Sequence, residues 1–250
     1  IGVKGNFDDC QKLVKDFFNL NNKKRKYNLA AVNSINWVRI MGQIVYYFWS
    51  YLKIEKHFLP INYVVPTGNF GNVYAGFVSK VMGLPLNKLI VSSNRNDILT
   101  RFFETGVMQK KKVVKSLSPS MDIQVSSNFE RLLYDFYGNG ETIEKLLSEL
   151  EEKKEFSVNK TYLTRMKKIF MYGKLSDSET KKTINKTHNK YKIVVDPHTA
   201  VGLSVGGKQL SKKEKRIYLA TAHYSKFIKT VKEAVGEKLD YPEKLKKILE

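Results

Sequence analysis

Pro66, Thr67, Gly68, Asn69, Phe70, Gly71 and Asn72 are the residues of this chain whose types and spacing could do chemistry. They lie between an apolar run, Ile61 to Val65, and a helix-like run, Val73 to Met82. Two glycines let the backbone turn tightly and present successive N–H groups. The helix that follows points its positive end at whatever those groups hold, so strand, loop and helix make an anion cradle suited to a phosphate. The dipole itself is worth only about 0.3–1 kcal/mol to such an anion, so backbone and Asn hydrogen bonds must supply most of the affinity. A Walker loop needs a Lys and a Ser or Thr right after its last glycine, and a dinucleotide fingerprint needs three glycines. Here Gly71 is followed by Asn72 and Val73. Neither nucleotide motif is met, which leaves a phosphate on a smaller cofactor or substrate. By residue type alone, a plain strand-to-helix turn stays as open as a ligand loop.

The elements that must position this loop follow from periodicity. Ile1 to Lys4 reads as extended, and Asp8 to Phe18 as an amphipathic helix with Cys10, Leu13, Val14, Phe17 and Phe18 inward. Asn19 to Asn28 is a polar, lysine-rich connection, and Ser34 to Leu52 a long apolar helix. Asn62 to Val65 then leads as a strand into the loop, and after the next helix a turn at Gly83, Leu84 and Pro85 precedes a second apolar strand, Lys88 to Ser92. Strand, helix and strand in succession predict an α/β fold, a parallel sheet covered by helices, with ligand sites at the carboxyl ends of strands. Gly138 to Lys190 reads as a charged helical segment with Ser176 and Glu179 spaced as a capping box, and carries no block assigned to chemistry. Tyr191 to Val195 is expected to return to the core as a strand, with final helices from about Ser211 to Leu249. Several polar residues have plain readings: Ser34 as an N-cap, Ser118 and Ser120 as a turn around Pro119, Asp196 before Pro197 as a helix start.

Composition bounds the function. With 250 residues, 42% of them hydrophobic and 12% aromatic, the chain can bury a sizeable core. The single cysteine, Cys10, excludes an internal disulfide framework and a Cys-based zinc site, and points to a reducing, cytoplasmic compartment. No run approaches the roughly 20 apolar residues that span a bilayer; the densest, Ile44 to Trp49, is short. The first residue is Ile1 rather than Met, so it is not expected to be the natural start. A net charge of +20 raises the possibility of a nucleic-acid or anionic-surface binder. The lysines, however, are spread through helical runs such as Lys23 to Lys26, Lys110 to Lys112 and Lys244 to Lys247, and no stripe interleaves them with aromatics for base stacking. They read as solvated faces, with no nucleic acid and no membrane expected as partner.

The loop resembles the phosphate loop of threonine synthases, pyridoxal-phosphate enzymes of the tryptophan-synthase-β-like fold type II. Further blocks are similar in the same order: Gly5 to Gln11; Asn33, Ser34, Ile35, Asn36 and Trp37 with Arg39; Asn96 to Leu99 with Arg101, Phe102 and Gly106; Ser118 to Ile123 and Ser126 to Arg131; Asp196 to Thr199; and Thr221, Ala222 and His223 with Lys226 and Phe227. The resemblance implies a lyase of threonine biosynthesis. It would convert O-phospho-L-homoserine and water to L-threonine and phosphate by elimination and β-hydration, with pyridoxal 5′-phosphate as cofactor. Carried over by motif, Gly68, Asn69, Phe70, Gly71 and Asn72 would hold the cofactor phosphate and Thr221 its pyridine nitrogen. Ser34, Asn36, Arg39, Asn96, Asp97 and Ser118 are candidates for the substrate side. The resemblance also implies a domain division, with residues 1–31 the tail of a small domain and 32–250 the large cofactor-binding domain.

One feature of the family is missing. Its Schiff-base lysine lies in a Phe-Lys-Asp-like block upstream of everything present; Lys15 and Asp16 match that context only superficially. No catalytic residue is therefore expected in this chain, which is read as a C-terminal portion, inactive by itself. Tyr224 and Ser225 also depart from the Pro and Ala that relatives often carry after the His223 position. The alternatives are a serine or threonine dehydratase of the same fold, whose loops are usually richer in glycine, and a non-catalytic basic binding fragment.

Overall fold

The structure, a computed structural model, describes residues 2–5, 7–24, 27–236, 239 and 241–249. Ile1, Asn6, Arg25 and Lys26, which figure in the readings above, lie outside the described residues. Helix α1 (Phe7–Lys24) and helix α2 (Trp37–Ile54) precede strand β1 (Ile61–Pro66), helix α3 (Gly71–Val81) and strand β2 (Leu86–Ser93). Then follow α4 (Ile98–Thr105), β3 (Val107–Gln109), a 3-10 turn at Pro119–Met121, α5 (Phe129–Tyr137), α6 (Gly140–Glu152), β4 (Glu155–Ser157), α7 (Lys160–Lys167) and β5 (Phe170–Lys174). The chain ends with α8 (Asp177–Tyr191), α9 (Pro197–Gln209), β6 (Arg216–Tyr218), a 3-10 turn at Tyr224–Phe227, α10 (Ile228–Val235) and α11 (Glu243–Leu249).

The main sheet is parallel with strand order β5-β2-β1-β6, and β3 and β4 form a separate antiparallel pair. Every residue of β1 is buried, as expected of a central parallel strand covered on both faces, which is why it reads as a continuous apolar run. The period of two then divides its side chains. Val64, opposite Ile90 of β2, packs with Val201 and Val205 of α9; Tyr63 and Val65, with Leu89 and Val91, join the larger core built on α2, α3, α4 and α5. Helices α8, α9 and α10 make a further layer around Ile184, Ala200 and Val231.

Four expectations are corrected. The segment 138–190 is not wholly helical: β4 pairs with β3 and β5 joins the main sheet beside β2, because Phe170 is fully buried among Phe70, Phe77 and Phe103. Tyr191 to Val195 is not a strand: α8 runs through Tyr191 and stops at Lys192, left-handed at φ 57°, with irregular chain beyond. Helix α1 continues to Lys24 rather than ending near Phe18. Helix α2 begins at Trp37, and its N-cap is Asn36, whose side chain accepts from the Val38 N–H, while Ser34 sits in the preceding turn. The capping box on α8 forms as expected, with Ser176 and Glu179 each bonding the other's backbone N–H. Among the described residues, no helix is long and apolar enough to cross a membrane.

Candidate functional site

The loop leaves the carboxyl end of β1 and enters α3. Thr67 N–H donates to the Ser92 carbonyl (3.0 Å), extending the β1–β2 ladder by one bond, and the Thr67 hydroxyl accepts from Phe70 N–H (3.2 Å). The left-handed position of the turn is Phe70, at φ 63°, and not a glycine. That backbone costs about 1–2 kcal/mol for an L-residue; it is held by the Phe70 ring, which is fully buried and meets Phe129 edge-on at 5.1 Å. The glycines serve close approach instead. A Cβ on Gly68 would stand 3.0 Å from Met121 Cα, and one on Gly71 3.1 Å from Ser34 Cβ. The loop is thereby walled by the turn at 118–123 on one side and by Ser34 on the other.

Helix α3 has no side-chain cap, and its first inward backbone bond is Tyr74 N–H to Phe70 O (2.8 Å). Among the described residues nothing accepts from the N–H groups of Gly71, Asn72 and Val73. Gly71 and Asn72, at the positive end of the helix, border a cavity of about 190 Å³. Ser34, Gln43, Pro66 to Asn72, Ser120, Met121, His198, Thr221 and Ala222 line it. No Lys or Arg among the described residues does so. Any anion here is therefore met by amides and hydroxyls rather than by a side-chain cation.

Thr221 reaches the site because β6 runs parallel to β1, with Leu219 N–H bonded to Val64 O (3.0 Å), so both strands deliver their following residues to one edge. Of the residues expected from sequence, Gly68, Asn69, Phe70, Gly71, Asn72, Thr221 and Ser34 are brought together. Arg39 faces an adjoining groove of about 520 Å³, which shares Gln43, Asn72 and Thr221 with the cavity. Asn36 is spent on capping α2 and on donating to Ala31 O.

The structure does not bring Asn96, Asp97 and Ser118 to the cavity. Asn96 and Asn94 both donate to Asp122 Oδ1 (2.9 and 2.8 Å), and the buried Ser118 hydroxyl accepts from Asn94 (2.9 Å). Asp97 binds Arg101 (2.8 Å) and Lys174 (2.6 Å); although burial opposes it, these two cations hold its carboxyl below the usual carboxylate range. Asn94, Asn96, Ser118 and Asp122 fix the segment 116–124, which in turn supplies Ser120 and Met121 to the cavity.

Gln43, Ser120, Met121, His198, Ala222 and the supporting Asn128 were not among the expected site residues. His198 Nδ1 lies 2.8 Å from Asp196 Oδ1, and its Nε2 accepts from Ser120 N–H (3.3 Å), which places the ring proton on Nδ1. Despite burial, hydrogen bonds from His198 and Thr199 keep the Asp196 carboxyl below its ordinary value. The signal for His198 was its place in the Asp-Pro-His-Thr block; for Gln43 it was the spacing of four from Arg39 on one helix. Gln43 lines both cavity and groove, and its Oε1 is buried without a partner among the described residues.

The comparisons with known proteins agree on one family. Residues 199–250 match the family profile described as "Threonine synthase, C-terminal". A threonine synthase of Pseudomonas aeruginosa is 42% identical over 253 aligned residues, which take in 100% of this chain and 54% of that protein. One from Saccharomyces cerevisiae is 39% identical and covers 99% of this chain and 54% of its own length. Among solved structures, the chain is similar to a pyridoxal-phosphate-bound threonine synthase from Brucella melitensis, with a TM-score of 0.88, 42% identity, and coverage of 97% of this chain and 52% of that one. The chain thus spans about half the length of the relatives it matches.

Proposed function

The chain belongs to the threonine synthase family, and on that footing we propose that it forms the cofactor-holding part of an enzyme converting O-phospho-L-homoserine and water to L-threonine and phosphate. The observation that carries this reading is the uncapped start of α3, whose free N–H groups face a cavity edged by Asn69, Asn72 and Thr221. A phosphate monoester fits that donor set, and the glycine contacts leave no room for side chains that would fill it. Pyridoxal 5′-phosphate, held there, supplies the electron sink that elimination and replacement need.

The chain's own residues bind and orient. Gly68 to Asn72 would hold the phosphate by backbone N–H groups and amides. Thr221, whose hydroxyl has no hydrogen-bond partner among the described residues, would bond the pyridine nitrogen without enforcing its protonation as a carboxylate would. Arg39, in the adjoining groove, suits the substrate's carboxylate or phosphate. In this reading α1 and the residues to about Ala31 are the tail of a small domain and the rest is the cofactor domain. A reducing cytoplasmic setting fits the lone, half-buried Cys10.

No described lysine lines the cavity, so the reading assigns the cofactor's lysine to polypeptide outside these 250 residues. Lys15 lies on α1 and faces Glu130 at 3.8 Å. Borohydride reduction of the protein from its natural source, loaded with cofactor, followed by peptide mapping, tests this. The expected label is on a peptide outside these residues, with phosphate released from O-phospho-L-homoserine by that protein and not by the 250-residue chain. A single stoichiometric label on Lys15, or turnover by the isolated chain, would overturn it.

A further inference from the structure

Asn69 is clamped at its backbone carbonyl and at its side-chain oxygen. Its carbonyl accepts from both the backbone N–H and the Nδ2 of Asn128 (3.1 Å each), and Asn128 is itself fully buried and bonded to Arg131. Its side-chain Oδ1 accepts from Gln11 Nε2 at 2.9 Å. Gln11 is 8% exposed and comes from α1, far away in sequence; that helix is tied to the end of the segment 116–124 by Asp8, which accepts from Gln124 N–H (2.9 Å). Asn69 Nδ2 has no acceptor among the described residues, and the residue lines the cavity.

An amide can present either its oxygen or its NH2 to a neighbour, and the two differ in sign toward an anion. When Gln11 donates to Oδ1, the NH2 is the end left for the cavity. We propose that Gln11 is a positioning residue: it fixes the Asn69 amide so that Nδ2, a donor, is offered to the phosphate monoester in the cradle. The inference deepens the cradle reading and rests on it. Without Gln11 the Asn69 amide can turn and oppose the anion with its oxygen, and the charge-assisted bond is lost or shared between two orientations.

The test is a double-mutant cycle read by calorimetry on the 250-residue chain at fixed salt. The probe is pyridoxine 5′-phosphate, which carries ring and phosphate but no aldehyde to react with surface lysines. Gln11→Met is expected to weaken binding about tenfold, the range of one hydrogen bond to a charged group, with little change in melting temperature. In an Asn69→Ala background the same substitution is expected to change binding less than twofold. Gln11→Glu, which can only accept, is expected to weaken binding more than Gln11→Met, and that excess should shrink on Asn69→Ala. Equal weakening in both backgrounds would show that Gln11 acts through the packing of α1 and would overturn the inference. So would undiminished binding by the Gln11→Met chain. A native chain that does not bind the probe refutes the cradle reading itself and takes this inference with it.

Discussion

Asp196 does two jobs with one carboxylate. It caps α9 through the N–H groups of His198 and Thr199, and it orients the His198 ring, whose other nitrogen receives Ser120 N–H. Both jobs are carried out in a dry place, since Asp196 is 1% exposed and His198 3%. Asp196→Ala removes the cap and strands two buried donors, the His198 ring N–H and the Thr199 hydroxyl, so a loss of about 2–4 kcal/mol in urea unfolding is expected. Its pH dependence has a definite sign. The folded carboxyl sits below its unfolded value near 3.8, so its contribution is complete above that value and is lost as pH falls through the folded one. The stability gap between native chain and variant should be constant from pH 7 to pH 5 and narrow below about pH 4. A gap unchanged down to pH 3 would show that Asp196 binds no fewer protons folded than unfolded. The sequence marked Asp196 as a helix start because capping is local; its grip on the Ser120 turn depends on a contact that spans some 78 positions and has no local trace.

At the scale of elements, α2 and α3 meet so closely that Gly76 has no room for a side chain. A Cβ there would lie 2.7 Å from Leu89 Cδ2 and 2.7 Å from the Tyr47 ring. Tyr47 cannot give way easily, because its hydroxyl donates to Asn72 O (2.7 Å) and its carbonyl accepts from the Tyr63 hydroxyl (2.9 Å). Gly76→Ala therefore sets a helix-propensity gain of about 1 kcal/mol against overpacking of about 1–3 kcal/mol. We expect net destabilisation, together with weaker binding of pyridoxine 5′-phosphate, since the Tyr47 hydroxyl holds the first turn of α3. A stabilised Gly76→Ala chain would refute the packing argument. Element types were legible where the pattern is local, as in β1, α3 and the capping box of α8. Strand β5 was not: Phe170 to Lys174 is a short run inside charged sequence, and its conformation is set by burial of Phe170 against three distant rings. The three-residue β6 lies in a stretch read as the start of the final helices; it is set by pairing with the distant β1, and it is what brings Thr221 to the loop.

On the scale of the whole molecule, two surface properties oppose each other. Val38, Met41, Val45, Trp49 and Leu52 recur every three or four residues on the outer face of α2, and all are at least half exposed. Ile40, Tyr47 and Tyr51 fill the inner face, so this helix is apolar on both sides. Such a stripe favours association, while a net charge of +20 resists it by repulsion that salt screens. Sedimentation of the isolated chain should accordingly show more self-association at about 0.5 M salt than at about 0.05 M, where the screening length is longer. Val45→Lys with Trp49→Lys should abolish the difference and reduce binding of an apolar fluorescent dye. Association unchanged by these substitutions would place the sticky surface elsewhere.

What the sequence by itself determined is what neighbouring residues can dictate: an apolar strand, a glycine loop ahead of a helix, two capped helix starts, a parallel α/β order, and a set of blocks that resemble threonine synthases from residue 5 to about 230. Only the tertiary structure decided that Phe70 takes the left-handed turn while Gly68 and Gly71 make room for neighbours, that Asn96 and Ser118 brace a loop and Asp97 binds Arg101 and Lys174 instead of lining the cavity, and that Gln11 meets Asn69 while His198 and Thr221 share its cavity. The reason is physical. Hydrogen bonds and caps within a few residues are fixed by local geometry, whereas which side chains share a cavity is fixed by strand order and burial, and those act between residues that the chain keeps far apart.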